Sequence, residues 1–568
     1  MIKRIKIGCG SCGIAAGAAT VRDALRQRVE SIPVVEVGCI GQCYAEPIVE
    51  VETDKGSYWY SHVKPTKEHL DAVVACSDYL RFDPTEMRGE LETLLVSKLA
   101  GRIVPTDLHE YMQFGGFNAL KQALTMSPEN VIQIVTDSGL RGRGGGGFPT
   151  GAKWSLLAAK THQPKVLICN ADEGDPGAFM DRSIMESVPF QILEGMFIAA
   201  HATGATQLII YCRTEYPLAI QRMTAAIDEL KKVGLNIIDG KALDVVIKEG
   251  AGAFVCGEET ALIHSLEGKR GIPRYRPPYP TDTGFRGLPT LINNVETFAT
   301  IPVIIRMGAD EFRKIGTKKS PGTKIFALAG DIERPGLIEV PIGTTIADVV
   351  YTVGGAEPSS VKAVLIGGPS GVCVPADRFD AAIDYDSLNN LGAIMGSGGL
   401  IVIGNRCMVE TARYFLEFTS RESCGKCTFC RIGSTRMLEI LERITSGQGE
   451  PRDIPLLEDL GEKIQKGSLC GLGQTAPNPV LSTLRFFRDE YIAHVEHHTC
   501  PAMDCSPLVK VFLDKNQCIK CGLCIRVCPV DAIEDDFVVD NEICVRCNSC
   551  IEICPRKAIR RASIVMVR

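Results

Sequence analysis

The sequence predicts a multidomain α/β protein, and three observations carry that prediction. A chain of 568 residues is too long for one core and suits roughly three to five domains. Through its middle, apolar runs alternate with amphipathic segments, the rhythm of a layered α/β architecture. Eighteen of its 24 cysteines fall into clusters near the two ends, which marks smaller modules attached to that centre.

Composition narrows the functional classes. Charged residues make up 23% and hydrophobic residues 45%, an ordinary globular balance. No apolar run approaches the roughly 20 residues that cross a bilayer, so direct membrane insertion is not expected. A formal net charge of −6 gives no electrostatic case for nucleic acid. The basic start, residues 1–6, leads into a stretch too short and too rich in Gly and Cys for a secretory signal. So many cysteines kept as ligands rather than disulfides imply a reducing compartment, for which the cytoplasm is the simplest reading.

Residues 1–80 read as a small domain of their own. Residues 2–7 alternate like a strand, 15–30 suit a helix, 33–37 make a second strand, and 48–51 with 57–61 form a hairpin around Lys55-Gly56. This order suits a thioredoxin-like domain. Cys9 and Cys12 follow the first strand, and Cys39 and Cys43 follow the second. A redox C-x-x-C is one reading of the first pair, although thioredoxins do not need the second. Polar residues 81–90 read as a linker.

Residues 91–315 contain apolar runs at 166–169, 208–212 and 243–247 and an amphipathic helix at 217–233, as an α/β domain requires. Strand, strand, helix and strand at 324–328, 336–340, 346–353 and 363–366 suit a compact ubiquitin-like, β-grasp domain over 316–405. Residues 406–498 read as largely helical, with breaks at Gly433 and across 447–451.

Residues 499–568 hold the most regular motif. Cys518, Cys521, Cys524 and Cys528, then Cys544, Cys547, Cys550 and Cys554, each read C-x2-C-x2-C-x3-C-P. That is the pattern of a two-cluster ferredoxin, in which three thiolates hold one [4Fe-4S] cluster and the fourth crosses to the other. Cys518, Cys521, Cys524 and Cys554 are therefore assigned to one cluster, and Cys544, Cys547, Cys550 and Cys528 to its twin. Structural zinc uses cysteine pairs at separated positions rather than two such runs.

The central domain carries Gly142-Arg143-Gly144-Gly145-Gly146-Gly147-Phe148, a G-x-G-x-x-G match without the strand that should precede it or an acidic residue at the usual distance. By itself it reads equally as a flexible turn. Three further segments, Lys153-Trp154, Asn170-Ala171-Asp172-Glu173 and Cys256-Gly257-Glu258-Glu259-Thr260, are joined by Asn293-Asn294-Val295-Glu296-Thr297. They supply close backbone approach, a phosphate-neutralising lysine, and amides and carboxylates that read flavin and ribose edges.

Together these motifs, over roughly residues 110–490, closely resemble the NADH-binding flavoprotein subunit of respiratory complex I and its relatives in NAD-linked hydrogenases and formate dehydrogenases. The resemblance implies FMN contacts at Gly142, Arg143, Gly144, Lys153, Asn170, Asp172, Glu173, Gly257, Glu258, Asn293, Asn294 and Thr297. It implies a dinucleotide over the flavin beside Gly145, Phe148, Asp175, Glu259, Arg276 and Tyr279. Asp175 stands where complex I usually has Glu, and Leu156 where it has an aromatic residue. An acidic group near the ribose accepts from a 2′-hydroxyl and repels a 2′-phosphate, which favours NAD over NADP.

By the same resemblance Cys424, Cys427, Cys430 and Cys470 hold a [4Fe-4S] cluster beside the flavin, with zinc as the alternative. Cys9, Cys12, Cys39 and Cys43 resemble the ligands of a thioredoxin-like [2Fe-2S] domain, with the first pair closer together than in the family. Cys500 and Cys505, with His494, His497 and His498 just upstream, suit a zinc site, and surface histidines are the plain alternative. Cys76, Cys169, Cys212, Cys256, Cys373 and Cys407 read as small buried hydrophobes.

The function these readings imply is a diaphorase subunit that passes electrons between NAD(H), FMN and iron–sulfur clusters, with no catalytic side chain beyond the cofactors. The terminal domains resemble those of electron-bifurcating hydrogenases and related anaerobic reductases. Expected partners are a thioredoxin-like [2Fe-2S] subunit, a catalytic hydrogenase or reductase subunit, and soluble ferredoxin. Two alternatives stay open: a non-bifurcating NADH dehydrogenase module, as in a formate dehydrogenase, and a flavin-free electron-transfer scaffold.

Overall fold

The computed structural model describes residues 1–86 and 91–563; positions 87–90 of the expected linker lie outside the described residues. The chain divides into two compact units, Met1–Ile403 and Gly404–Arg568.

The first unit begins with β1 (Ile2–Gly8), helices α1 (Ser11–Ala15) and α2 (Ala18–Arg28), strands β2 (Val34–Val37), β3 (Val49–Thr53) and β4 (Gly56–Tyr60), and α3 (Lys67–Val74). The sheet order is β2-β1-β3-β4, with β1 parallel to β2 and antiparallel to β3. One helix was expected over 15–30; two form because Gly17, at φ +100°, takes a left-handed conformation that a helix interior cannot contain.

The central domain is built on α4 (Thr150–Ala158), β5 (Lys165–Ala171), α5 (Met180–Ser187), α6 (Pro189–Thr203), β6 (Ala205–Arg213), α7 (Pro217–Val233), β7 (Val245–Gly250), α8 (Glu259–Leu266), β8 (Thr290–Asn294) and α9 (Val295–Met307). All four strands run parallel in the order β8-β5-β6-β7. β5 is buried along almost its whole length, as a strand covered on both faces must be, and this removes the alternation seen in exposed sheets. Every residue of α6 is buried. Its Gly195 lies so close to α9 that a Cβ there would stand 1.9 Å from the Phe298 carbonyl oxygen.

Five strands complete the unit: β9 (Thr323–Gly330), β10 (Gly336–Pro341), β11 (Ala363–Ile366), β12 (Val372–Pro375) and β13 (Gly399–Ile403), in the order β10-β9-β13-β11-β12. β9 and β13 pair in parallel at the centre.

The second unit opens with α10 (Met408–Arg421), α11 (Ser434–Thr445), α12 (Asp453–Gly467), α13 (Asn478–Phe486) and α14 (Arg488–Glu496). The break expected at 447–451 is present, whereas Gly433 keeps helical backbone and leads a π-type turn, Phe429–Gly433, directly into α11. Two antiparallel strands, β14 (Val509–Leu513) and β15 (Ile559–Ser563), close the unit around the eight terminal cysteines. Among the described residues no helix is long and apolar enough to cross a membrane.

Candidate functional site

In the central sheet, β5 is followed in sequence by β6 on one side and is paired on the other with β8, which arrives last. The strand order therefore reverses beside β5, a topological switch point of the kind at whose carboxyl ends ligands bind in parallel α/β sheets. The sequence motifs sit there. Asn170, the penultimate residue of β5, lies opposite Asn294, which closes β8.

The motifs brace one another. Asn170 Nδ2 donates to the Gly257 carbonyl (3.0 Å), while its Oδ1 accepts from Asp172 N–H. Asn293 Oδ1 accepts from Trp154 Nε1 at 3.1 Å. Asn294 caps α9, accepting from Glu296 and Thr297 N–H, and donates to the Asp181 carboxylate. Thr297 Oγ1 in turn accepts from Arg143 N–H at 2.9 Å. A loop of low intrinsic order is thereby tied to a helix N-terminus, where backbone N–H groups and the helix dipole favour a phosphate or another anionic edge.

Some predicted contacts have their side chains otherwise engaged. The Arg143 guanidinium is buried and donates to Pro321 and Arg141 carbonyls. The Glu173 carboxylate accepts from Asp181 and Arg182 N–H at the start of α5. Glu258 caps α8 through Thr260 and Ala261 N–H and meets Arg276 at 3.1 Å. Lys153 pairs with Glu259 and donates to the Ile292 carbonyl. Phe148 and Tyr279 are each about half exposed, at 51% and 54%.

The third domain supplies a wall that sequence reasoning missed. Tyr385 OH donates to the Gly142 carbonyl at 2.9 Å, and Arg141 stacks on the Tyr385 ring. Gly145, at φ +109°, packs where a Cβ would lie 2.8 Å from the Gly396 carbonyl carbon. Ser397 donates to Asp175, and Gly368 lies against the same carboxylate. The signal was present as glycine runs at 367–368 and 396–399. Desolvation pushes the Asp175 carboxyl up to about 6, against the Ser397 hydrogen bond that lowers it.

In the second unit Cys424, Cys427, Cys430 and Cys470 are mutual neighbours: Leu469 N–H donates to Cys427 Sγ at 3.3 Å, Ser423 Oγ lies 3.2 Å from Cys430 Sγ, and burial raises the Cys430 thiol. In the terminal tandem, Cys518, Cys521, Cys524 and Cys554 line one pocket, and Cys528, Cys544, Cys547 and Cys550 another. The cysteines expected to share a cluster thus line the same pocket. Each half repeats the same N–H to sulfur bonds, Lys520 to Cys518 and Ala532 to Cys528, then Arg546 to Cys544 and Ala558 to Cys554.

The zinc expectation needs one correction. Cys407, read from sequence as a buried hydrophobe, joins His494, Cys500 and Cys505, and the four ligand atoms all lie within 4.8 Å of one another. His494 Nε2 is 3.2 Å from Cys505 Sγ and 3.5 Å from Cys407 Sγ, while its Nδ1 is held at 2.7 Å by the Glu490 carbonyl. Such spacing fits one tetrahedral ion with bonds of about 2.0–2.3 Å, and the Nδ1 bond presents Nε2 as the ligand. Hydrogen bonds from Cys407 and Cys505 hold the Cys500 thiol down. His497 and His498 are exposed.

In the N-terminal domain Cys39 and Cys43 Sγ atoms are 3.8 Å apart. Cys12 hydrogen-bonds Cys43 and lies beside Arg182, which together hold its thiol down to about 7. Cys9 stands apart in the core, where burial pushes its thiol up to about 12. Among the other single cysteines, Cys169, Cys212, Cys256 and Cys373 are buried, as expected, and Cys76 is partly exposed.

Comparison with known proteins matches this arrangement. Residues 135–303 match the Nuo51 FMN-binding domain, 410–494 the NADH-ubiquinone oxidoreductase-F iron-sulfur binding region, 325–373 the SLBB domain, and 511–534 with 537–560 the 4Fe-4S binding domain. The NADP-reducing hydrogenase subunit HndC of Solidesulfovibrio fructosivorans is 50% identical over 77% of this chain and 91% of its own length. The F 2 subunit of NADH-quinone oxidoreductase from Rhizobium meliloti is 44% identical over 69% of this chain and 96% of its own. A crystal structure of an NAD+-reducing [NiFe]-hydrogenase in the H2-reduced state superposes with a TM-score of 0.64 at 31% identity, covering 88% of this chain and 86% of that one.

Proposed function

The chain belongs to the family of NADH-binding FMN and iron–sulfur subunits found in complex I and in NAD(P)-reducing hydrogenases, and on that premise we propose that it is the diaphorase subunit of an electron-bifurcating hydrogenase or a related reductase. It is an NADH dehydrogenase flavoprotein with an FMN-binding domain and 4Fe-4S binding regions. The observation that carries the finer reading is the convergence of the glycine-rich loop, Asn170 and Asn294 at the carboxyl ends of β5 and β8, in a chain that also bears sulfur sites at both ends.

Bound FMN would exchange a hydride with nicotinamide and single electrons with the clusters. The residues supply position and charge. Backbone at Gly142 and Gly144 would approach the flavin, the Asn294-capped start of α9 would favour its anionic part, and Lys153 would balance charge beside Glu259. Phe148 and Tyr279 would flank the dinucleotide, and Asp175 would read its ribose.

The cofactor set we propose is FMN, three [4Fe-4S] clusters at the twelve cysteines from Cys424 to Cys554 assigned above, one [2Fe-2S] group in the N-terminal domain, and zinc at Cys407, His494, Cys500 and Cys505. The domain boundaries are those read from the sequence, and the partners are a thioredoxin-like subunit, a catalytic hydrogenase or reductase subunit and soluble ferredoxin, in a reducing compartment such as the cytoplasm. NAD is the proposed dinucleotide on the strength of the Asp175 carboxylate, although the hydrogenase relative is named for NADP.

The test uses the purified complex with NADH alone, reduced ferredoxin alone, and both. Bifurcating coupling is supported if hydrogen or product forms only with both donors together. Turnover with NADH alone assigns the chain to the non-bifurcating module instead, and absence of bound flavin overturns the diaphorase reading.

A further inference from the structure

The N-terminal sulfur site is built differently from the four-cysteine pattern of its motif. Two thiolates bound to one tetrahedral metal at about 2.3 Å must lie near 3.8 Å apart, and Cys39 and Cys43 do. Gly41 N–H donates to Cys39 Sγ at 3.2 Å, and Cys12 completes the set by hydrogen-bonding Cys43. These soft donors, with N–H bonds onto sulfur, suit an iron–sulfur group.

Cys9 faces elsewhere. β1 ends at Gly8, and Cys9, the next residue, is 1% exposed and packs in the core with Ile5 and Ile7 and with Val21 and Leu25 of α2. The backbone there is pinned, because Arg222 donates to the Cys9 carbonyl at 2.7 Å and to the Glu186 carbonyl at 2.6 Å. Bringing the thiol to the other three would take it out of that core.

The central domain packs against Cys12. Arg182 of α5 approaches Cys12 Sγ at 3.8 Å, and Glu186, one turn on, accepts from Ser11 N–H at 2.8 Å and from its hydroxyl. Arg182 N–H also holds the Glu173 carboxylate beside the flavin crevice. One short helix thus touches both sites.

We infer that the iron–sulfur group of the N-terminal domain is held by three thiolates, those of Cys12, Cys39 and Cys43, with Cys9 a core residue and Arg182 of the central domain the charge that closes the site. The inference rests on the [2Fe-2S] reading proposed above. Arg182 is not a further ligand, since a guanidinium has no lone pair to give. As a positioning residue, its positive charge stabilises the reduced, more negative form of the group.

The test compares the full-length chain in its complex with Cys9→Ala, Cys9→Ser, Cys12→Ser, Cys39→Ser, Cys43→Ser, Arg182→Lys and Arg182→Gln. Iron, acid-labile sulfide, the low-temperature EPR signal of the reduced [2Fe-2S] group and its midpoint potential are read, with flavin content as the check on folding. Both Cys9 variants are expected to keep unmodified iron, sulfide and signal, while each of the other three cysteine variants loses them. Arg182→Gln lowers the midpoint potential and Arg182→Lys largely restores it. Loss of the signal in both Cys9 variants at full flavin content overturns the three-thiolate set, and an unmoved potential in Arg182→Gln overturns the role of the arginine. No such signal in the unmodified chain would sink the [2Fe-2S] reading itself, and the inference with it.

Discussion

Glu296 and Lys324 form an ion pair with each side chain only about 1% exposed, and the other Glu296 oxygen accepts from Ile325 N–H at 2.9 Å. The pair joins the start of α9, two residues after Asn294, to β9 of the neighbouring sheet. Removing one partner leaves an uncompensated buried charge, which costs about 3–5 kcal/mol. Lys324→Met should therefore lose that stability in urea unfolding and release flavin early, and the double variant Lys324→Met with Glu296→Leu should recover most of it.

Asp175 predicts how dinucleotide preference changes with pH. Its carboxyl is pushed up to about 6, so it is ionised at pH 8 and largely protonated at pH 5.5. Repulsion of a 2′-phosphate disappears as the proton is taken up. The ratio of kcat/KM for NADH over NADPH should fall about tenfold across that range, equivalent to roughly 1.4 kcal/mol, and Asp175→Asn should give a low ratio that does not vary with pH. The raised value also means that the folded state holds this proton more tightly than the unfolded chain, so its contribution to stability declines as pH rises from about 4 to about 6.

Cys407 predicts the outcome of a metal analysis. With four ligand atoms within 4.8 Å, Cys407→Ala should lose bound zinc as completely as Cys505→Ala does, by elemental analysis, with FMN retained. Zinc undiminished in Cys407→Ala would show that the metal does not need it.

The two pockets of the terminal tandem predict crossed losses. Cys554→Ser should abolish the cluster of Cys518, Cys521 and Cys524 although it lies in the other motif, and Cys528→Ser should abolish the second. Each removes about four irons per chain, and EPR of the surviving cluster distinguishes the two.

Gly145 predicts a flavin defect without a lost contact. At φ +109° and with Gly396 too close for a Cβ, Gly145→Ala strains the loop by roughly 1–3 kcal/mol. FMN affinity in the purified chain should drop at least tenfold by fluorescence titration.

The terminal tandem and the Cys424 to Cys470 site could be read without coordinates, because iron–sulfur chemistry fixes ligand type and spacing within a few residues. The parallel strands could be read as well, since burial on both faces leaves continuous apolar runs such as 166–169. The glycine-rich loop was recognisable only alongside Asn170, Gly257 and Asn294, and no spacing rule announces residues that meet across a sheet. Gly433 misled because a glycine lowers helix propensity without forbidding a helix that tertiary packing supports.

What the sequence by itself determined was the set of chemical groups and the modules that carry them: thiolates in ligand-spaced runs, a glycine loop, amides and carboxylates for a nucleotide. Only the tertiary structure decided which of those groups meet. It brought Cys407 to a histidine and two cysteines far along the chain, laid Ser397 against Asp175, and turned Cys9 into the core while Arg182 approached Cys12. The physical reason is that local spacing constrains only neighbours along the chain, whereas coordination, hydrogen bonding and burial depend on distances that the packing of whole elements sets.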